Sequence, residues 1–511
     1  MKNILKLMMV VGFVGFLSSS CELDKYPTDS VLFIESYQTV TDATNNWNGL
    51  YSIFRTRFYG AFAQPTEVMS DLFNASLPPG SSNIAGALHR LDITMLSDND
   101  IANVWRLCYS AINNVNVFLE RVDEIEVTAP ADIALIRNYK GHAHYMRAHL
   151  YYILIKHFGA AYTVDTAAPG VPLVTVYDLD ARPVRASVGT IHNFILDELV
   201  LAETMITDTN RIHRPGGNER ITRDAVWALR SKIQLNMGLN AEAAETALRL
   251  INSGRYPLVT DSAALSRGWR DDDWSEDILL MHVKETESAN EQNYFSRWNA
   301  ATGQQRFEPF FIPTRTVVDL YEAEDLRRKV YLSNPATDVI FANNWRRPGI
   351  IFLRKWSMTT NYAPRPGNYQ HKPKVHRIAE QYLIAAEALG YGNSPINRPE
   401  AIRILTEFRD ARGAVIEVND ANFEQMLRDE WVREMIGEGV RIECLKRWGM
   451  GFSGRVPQNP NIIAGGDMQE YYSELEVSET AGNIHRLTWP VPINELRTNP
   501  NIRQTPAWET R

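Results

Sequence analysis

The 511-residue sequence predicts a mainly α fold: a superhelix of tetratricopeptide-like helical hairpins carrying an irregular loop and short β lobe. Two observations predict it. First, Ala225-x3-Leu229-x5-Leu235-x2-Gly238 recurs as Ala379-x3-Leu383-x5-Leu389-x2-Gly392, and each copy precedes a second Ala-rich stretch, Ala241–Ile251 and Pro399–Arg412. Small and large apolar residues at those offsets let two antiparallel helices pack closely, and the glycine closes the first of them. Second, residues 57–100 and 255–375 turn rich in Gly, Pro, Asn and aromatics, with short β-like runs at Asp277–Val283 and Ile350–Leu353. Long irregular segments of this kind inside a folded chain usually carry function.

The elements follow in order. Lys2 and Lys6 precede an apolar run, Leu7–Leu17, which spans about 16 Å as a helix against the roughly 30 Å of a membrane core. That length suits a cleavable export signal. Ser18, Ser19 and Ser20 then lead into Cys21, the expected lipidation site, so residues 1–20 read as a lipoprotein signal peptide and 21–40 as a lipidated tether and first helix. Residues 41–511 read as one domain. Removal of the leader takes two lysines and moves the net charge from −8 to −10. An acidic chain without Lys/Arg blocks excludes nucleic acid as a partner. Lipid alone would tie the mature chain to a membrane, two or more acyl chains holding stably.

Trp105, Tyr109, Ile112, Asn116 and Leu119 fall on one face of a helix, as do Tyr145, Ala148, Tyr152 and Ile155 within Gly141–Phe158, which stops at Gly159. Ile191, Phe194, Asp197 and Leu201 belong to a further amphipathic stretch. Cys108 and Cys444 sit in apolar helical patterns as small buried hydrophobes, and a disulfide between them is left open.

Several blocks together resemble one family. They are CELDKYP from Cys21, NNWNGLYSIF at Asn45–Phe54, W-x3-Y-x2-I-x3-N at Trp105–Asn116, GHAHYMRAHLYYILIKHFG at Gly141–Gly159 and GVPLV at Gly170–Val174. RIAEQYLIAAEAL from Arg377, FRDARGA from Phe408, DEWVREMIGEGVRIECLKRWG from Asp429 and WPVPINELRTNPNIRQTP from Trp489 complete the series. In this order they resemble the SusD/RagB family over nearly the whole mature chain. His142, His144 and the pair Tyr162-Thr163 depart from its usual residues. The resemblance implies a surface-exposed outer-membrane lipoprotein with tetratricopeptide-like helices, no enzymatic activity and no cofactor. It implies a SusC-like TonB-dependent barrel as partner, to which a glycan or a peptide is delivered.

Glu380 with Glu387, and Glu434 with Glu438, share helix faces and could flank a sugar as a glycosidase pair does. Arg433, Arg441 and Arg447 interleave with the second pair and favour ion pairing instead. His142 and His149 stand about 10.5 Å apart along a helix, too far to share a metal. Asp271, Asp272 and Asp273 with Glu276 and Asp277 form the best calcium candidate, but lack an EF-hand's glycine and final glutamate, so a solvated turn is expected. Aromatics on irregular segments stand out: Trp269, Trp274, Tyr294, Trp298, Trp345 and Trp356. Flat rings give contact area at low entropic cost, and Trp269, Trp274, Tyr294, Arg297, Trp298 and Trp345 are the expected ligand-binding set. Residues 60–100 contain no Trp, which weakens a starch-like platform. Asn293, Arg297, Gln304, Gln305 and Arg306 suit a peptide as well as a glycan; the glycan is preferred.

Overall fold

Thr39 opens the first described helix, α1 (Val40–Phe54). Its Oγ1 accepts from Asp42 N at 3.2 Å while Asp42 Oδ2 accepts from Thr39 N at 2.8 Å, a reciprocal cap that satisfies two otherwise orphaned donors. Residues 21–36 of the expected tether and first helix lie outside the described residues. The computed structural model describes residues 37–58, 62, 64–75, 86–178, 180–208, 218–283, 295, 298–299, 306–307, 309–335, 340–341, 345–346, 349–356, 371–459, 475–505 and 508–509. The expected leader and Cys21 lie outside them. No helix among the described residues is long and apolar enough to cross a membrane.

The other principal helices are α2 (Gln64–Met69), α3 (Asn99–Arg121), α4 (Pro130–Phe158), α5 (Val188–Met205), α6 (Arg223–Asn236), α7 (Asn240–Ile251) and α8 (Ser262–Asp271). After them come α9 (Leu326–Tyr331), α10 (Ile378–Gly390), α11 (Arg398–Ala411), α12 (Phe423–Met435) and α13 (Arg441–Trp448). Neighbours in sequence pack as neighbours in space: α3 on α4, α4 on α5, α5 on α6 and α6 on α7. The chain then leaves for the lobe and returns with α10 seated on α7, α11 and α12. This row is the expected helical-hairpin superhelix.

Both repeat glycines end their helices as expected. Gly238 follows α6 at φ +73° and Gly392 follows α10 at φ +89°, left-handed positions that a side chain disfavours. Gly390 has a different role. A Cβ there would lie 2.4 Å from Ala401 Cβ and 2.6 Å from Phe423 Cζ, so its hydrogen lets α11 and α12 both reach α10.

One expectation changes. The spacing in Gly141–Phe158 predicts a single apolar face, yet all of its residues except Lys156 are buried. Helices α1, α3 and α5 all pack against α4, so a 3.6-residue polarity pattern has no solvent side to record. Its polar residues therefore need internal partners. His142 Nδ1 accepts from Trp47 Nε1 at 3.0 Å, His144 meets Glu198 at 3.0 Å, and Arg147 bonds Glu198 and Asn116. Burial pushes His142 and His149 below the usual histidine range, so both are structural and neutral.

Among the described residues the strands form six two-stranded antiparallel ladders. Four belong to the lobe: β1 (Phe73–Ala75) with β7 (Phe311–Pro313), β4 (Asp277–Leu280) with β10 (Lys374–Arg377), β5 (Trp298–Asn299) with β6 (Arg306–Phe307), and β8 (Ile340–Phe341) with β9 (Trp345–Arg346). The other two pair β2 (Pro169–Pro172) with β3 (Arg185–Ser187), and β11 (Phe452–Ser453) with β12 (Glu476–Val477). The run Asp277–Val283 supplies β4, whereas Ile350–Leu353 makes a single bridge among the described residues, Leu353 to Leu332. Cys108 and Cys444 are both free and buried, so no disulfide joins them, and burial pushes each thiol up to about 12.

Candidate functional site

Helix α8 and the turn after it gather the aromatic residues. Asp261 caps α8 by accepting from Ala264 N at 2.8 Å. The helix ends at Asp272, which stands in the left-handed region at φ +55°. Lys374 Nζ at 2.7 Å and Lys372 N at 3.1 Å hold its carboxylate there. This turn folds Trp274 back over the helix, onto Gly268: a Cβ on Gly268 would lie 2.2 Å from the indole. Trp274 Nε1 donates to Asp277, and its ring meets Trp269 edge-on at 5.4 Å. Trp269 in turn meets Trp356 at 5.7 Å and Tyr331 at 5.9 Å, and its Nε1 donates to Tyr331 Oη at 3.2 Å.

Cations line this aromatic cluster. Lys355 Nζ lies 4.4 Å from the Trp269 ring and 4.5 Å from Tyr331, with Arg377 5.0 Å and Lys374 5.2 Å from Trp269. Burial, working against Glu438, pushes Lys355 down to about 8; its Nζ donates to Glu434 O at 2.7 Å and Glu438 Oε1 at 2.5 Å. Beneath lies a buried ionic layer. Glu434 meets Arg377 at 2.8 Å and Arg327 and Arg412 at 3.1 Å each; Glu430 meets Arg327, Arg409 and Arg433 at 2.6, 2.7 and 3.0 Å. Burial alone would raise Glu430, but Arg327, Arg433 and Arg409 outweigh it and hold the carboxyl at about 2. Each carboxylate of this layer faces more than one guanidinium.

The carboxylates weighed for catalysis are therefore ion-paired, but Glu434 and Glu438 not to the arginines expected of them. Glu434 and Glu438 take Arg377, while Arg433, Arg441 and Arg447 serve Glu430, Asp71 and Glu387. Glu380 pairs with Lys232. The sequence spacing placed the arginines on neighbouring turns; the actual partners come from distant elements. Of the acidic run, Asp273 is exposed as a solvated turn would have it, but its neighbours are not. Asp272 is 4% exposed on Lys374, Asp271 meets Arg270 at 2.7 Å, and Glu276 takes Arg412. Among the described residues no group of three or more His, Cys, Asp or Glu is placed to hold a metal ion.

Of the expected ligand set, the structure brings Trp269 and Trp274 together. Trp269 is 1% exposed, so it supports the cluster from below and offers no free ring face to a ligand. Trp274 is half-buried. Trp298 stands on β5 opposite Phe307 and Trp345 on β9 opposite Phe341. Tyr294 and Arg297 lie outside the described residues. Phe295 stacks on Trp356 at 6.1 Å and meets Phe73 at 4.6 Å. Lys355, Lys374, Arg377 and Tyr331 were missed, since only long-range folding brings them to the rings and no local motif marks them.

A family profile described as "Starch-binding associating with outer membrane" (SusD-like) matches residues 23–235, and the SusD family profile (SusD/RagB) matches 283–508. No curated protein matches. A SusD superfamily protein from Bacteroides vulgatus ATCC 8482 superposes with TM-score 0.74 at 21% identity, over 93% of this chain and 100% of its own. One from Bacteroides thetaiotaomicron VPI-5482 gives 0.71 at 21%, over 92% and 100%. A structure titled a laminarin-binding SusD-like protein gives 0.67 at 19%, again over 92% and 100%. With two profiles in register along the chain and a shared helical-hairpin fold, the chain belongs to the SusD/RagB family, whose members associate with the outer membrane.

Proposed function

We propose that this protein is a surface-exposed outer-membrane lipoprotein, anchored through Cys21, that binds a glycan and delivers it to a SusC-like TonB-dependent barrel without catalysing a reaction. The observation that carries this reading is the ion-braced cluster of Trp269, Trp274 and Trp356 joined through Phe295 to the lobe that bears Trp298 and Trp345. A rigid aromatic base suits a ligand bound by ring faces, as sugars are. Family membership supports the same reading: one profile is described as starch-binding, and one structural relative is named for binding laminarin. Sequestration of Glu380, Glu387, Glu434 and Glu438 in buried ion pairs supports binding over hydrolysis. In this reading residues 41–511 act as one SusD-like domain behind the leader and tether.

Calorimetry against neutral oligosaccharides and a peptide digest tests the ligand, and mild-detergent extraction with recovery of a barrel tests the partner. Binding of a glycan that weakens in Trp298→Ala is expected. Heat from the peptides alone would transfer the reading to a peptide carrier. Sustained turnover abolished by Glu434→Gln or Glu380→Gln would replace it with a hydrolase.

A further inference from the structure

A cleft of about 270 Å³ opens between α12, α13 and the β11–β12 ladder, apart from the aromatic cluster. Local sequence shapes it. Gly449 ends α13 at φ +62°, and Gly451 passes so close to β12 that a Cβ would fall 1.6 Å from Val477 O. Arg455, 1% exposed, anchors the wall by donating to Met69 O and Ser70 O at 2.7 Å and His89 O at 2.8 Å.

The wall chemistry is mixed and self-neutralising. On α12, Gln425 Nε2 donates to Asp429 Oδ1 at 2.7 Å and Arg428 donates to Gln425 Oε1 at 2.9 Å. Opposite them Arg441 forms a two-pronged pair with Asp71 at 2.8 and 2.7 Å. Trp448 borders the same space; its Nε1 donates to Glu387 at 2.8 Å and its ring stacks with Tyr391 at 5.9 Å and 27°.

We propose that this cleft is a second saccharide subsite, taking one or two neutral hexose units, separate from the aromatic cluster. It rests on the glycan reading above. Three features select that ligand class. Arg441 is paired with Asp71 and Arg428 is hydrogen-bonded to Gln425, so an anionic ligand would have to break an existing contact. A hydroxyl need not: a carboxylate accepts about four hydrogen bonds, and Asp429 uses one oxygen on Gln425. The half-buried indole of Trp448 adds a flat apolar surface beside those groups. The volume lies below the roughly 300 Å³ where pockets for drug-sized ligands begin, which fits a ring or two and not a long chain.

The test is calorimetry of the full-length protein in mild detergent with laminarihexaose and maltohexaose, comparing wild type, the double variant Gln425→Ala/Arg428→Ala, Trp448→Phe and Trp298→Ala. Gln425 is exposed and Arg428 half-exposed, so the double variant should fold; an unchanged melting temperature checks this. The expected result is two classes of site in wild type. One is lost or weakened at least tenfold in the double variant, persists in Trp298→Ala and is largely kept in Trp448→Phe. An isotherm unchanged in the folded double variant overturns the second subsite alone, because the response to Trp298→Ala still reports the first. No heat from either sugar with wild type overturns this proposal, and the absence of binding to any other glycan as well would bring down the underlying reading.

Discussion

Arg412 donates to both carboxylate oxygens of Glu276, each at 2.8 Å, with both side chains fully buried. This contact joins the residue after α11 to the residue before β4, tying superhelix to lobe. Removing one member of such a pair leaves a charge in low dielectric, which costs about 3–5 kcal/mol. Arg412 also touches Glu434, so Glu276→Gln should fall at the lower end of that range. Urea unfolding of wild type and variant measures it; a loss below about 1 kcal/mol would show that the pair does not tie the two parts together.

Gly390→Ala should destabilise by about 1–3 kcal/mol, since the added methyl overlaps Ala401 and Phe423 and cannot move both helices away. Gly49→Ala, where a Cβ meets nothing within 4 Å, is the control and should be neutral or slightly stabilising. Thermal melts of the two variants compare them directly.

Asp277 gives a pH dependence. Burial, working against Lys374 and the Trp274 indole, pushes its carboxyl up to about 7, and its Oδ1 has no hydrogen-bond partner among the described residues. Between about pH 4 and pH 7 the folded state therefore holds a proton that the unfolded chain has released, so stability from this group falls as pH rises. Asp277→Asn should flatten that decline, leaving the variant better placed relative to wild type at pH 8 than at pH 5. Stability measured at both pH values decides it; an identical pH slope in the two proteins would contradict the assignment.

The thiols report on anchoring. Cys108 and Cys444 are buried with thiols pushed up to about 12, so neither should react with a thiol reagent in the native state. In denaturant the membrane-extracted protein should titrate two thiols if Cys21 carries lipid as a thioether and three if it does not. Fatty-acid labelling of wild type against Cys21→Ala gives the independent check.

Ligand affinity should fall roughly tenfold in Trp298→Ala, the loss of about 1.4 kcal/mol expected when one aromatic anchor is truncated. Trp269→Ala should act differently: its ring supports Trp274, Trp356 and Tyr331 from below, so stability should drop by about 3–5 kcal/mol before affinity is affected. Separate affinity and melting measurements on each variant distinguish a binding ring from a supporting one.

Much of the scaffold was legible because it depends on near neighbours in the chain. The repeat ending in Gly238 and Gly392 places two helix ends correctly, since a left-handed terminus is a local demand on one residue. Trp105, Ile112 and Asn116 were found on a buried face because α3 has a solvent side to contrast with it. That signal failed for α4, which is covered all round. The candidate site was only half legible: the importance of Trp269 and Trp274 followed from their composition and setting, but which of them is buried did not. Lys355 meets Trp269 across 86 positions and Arg412 meets Glu276 across 136, and in both cases a cation can choose among many carboxylates and rings that the linear sequence does not rank. The sequence by itself determined the helical periods, the helix ends and the family-like blocks, all governed by contacts a few residues apart. Only the tertiary structure decided the ion partners and the exposure of each ring, because those depend on which distant elements exclude water from the same place.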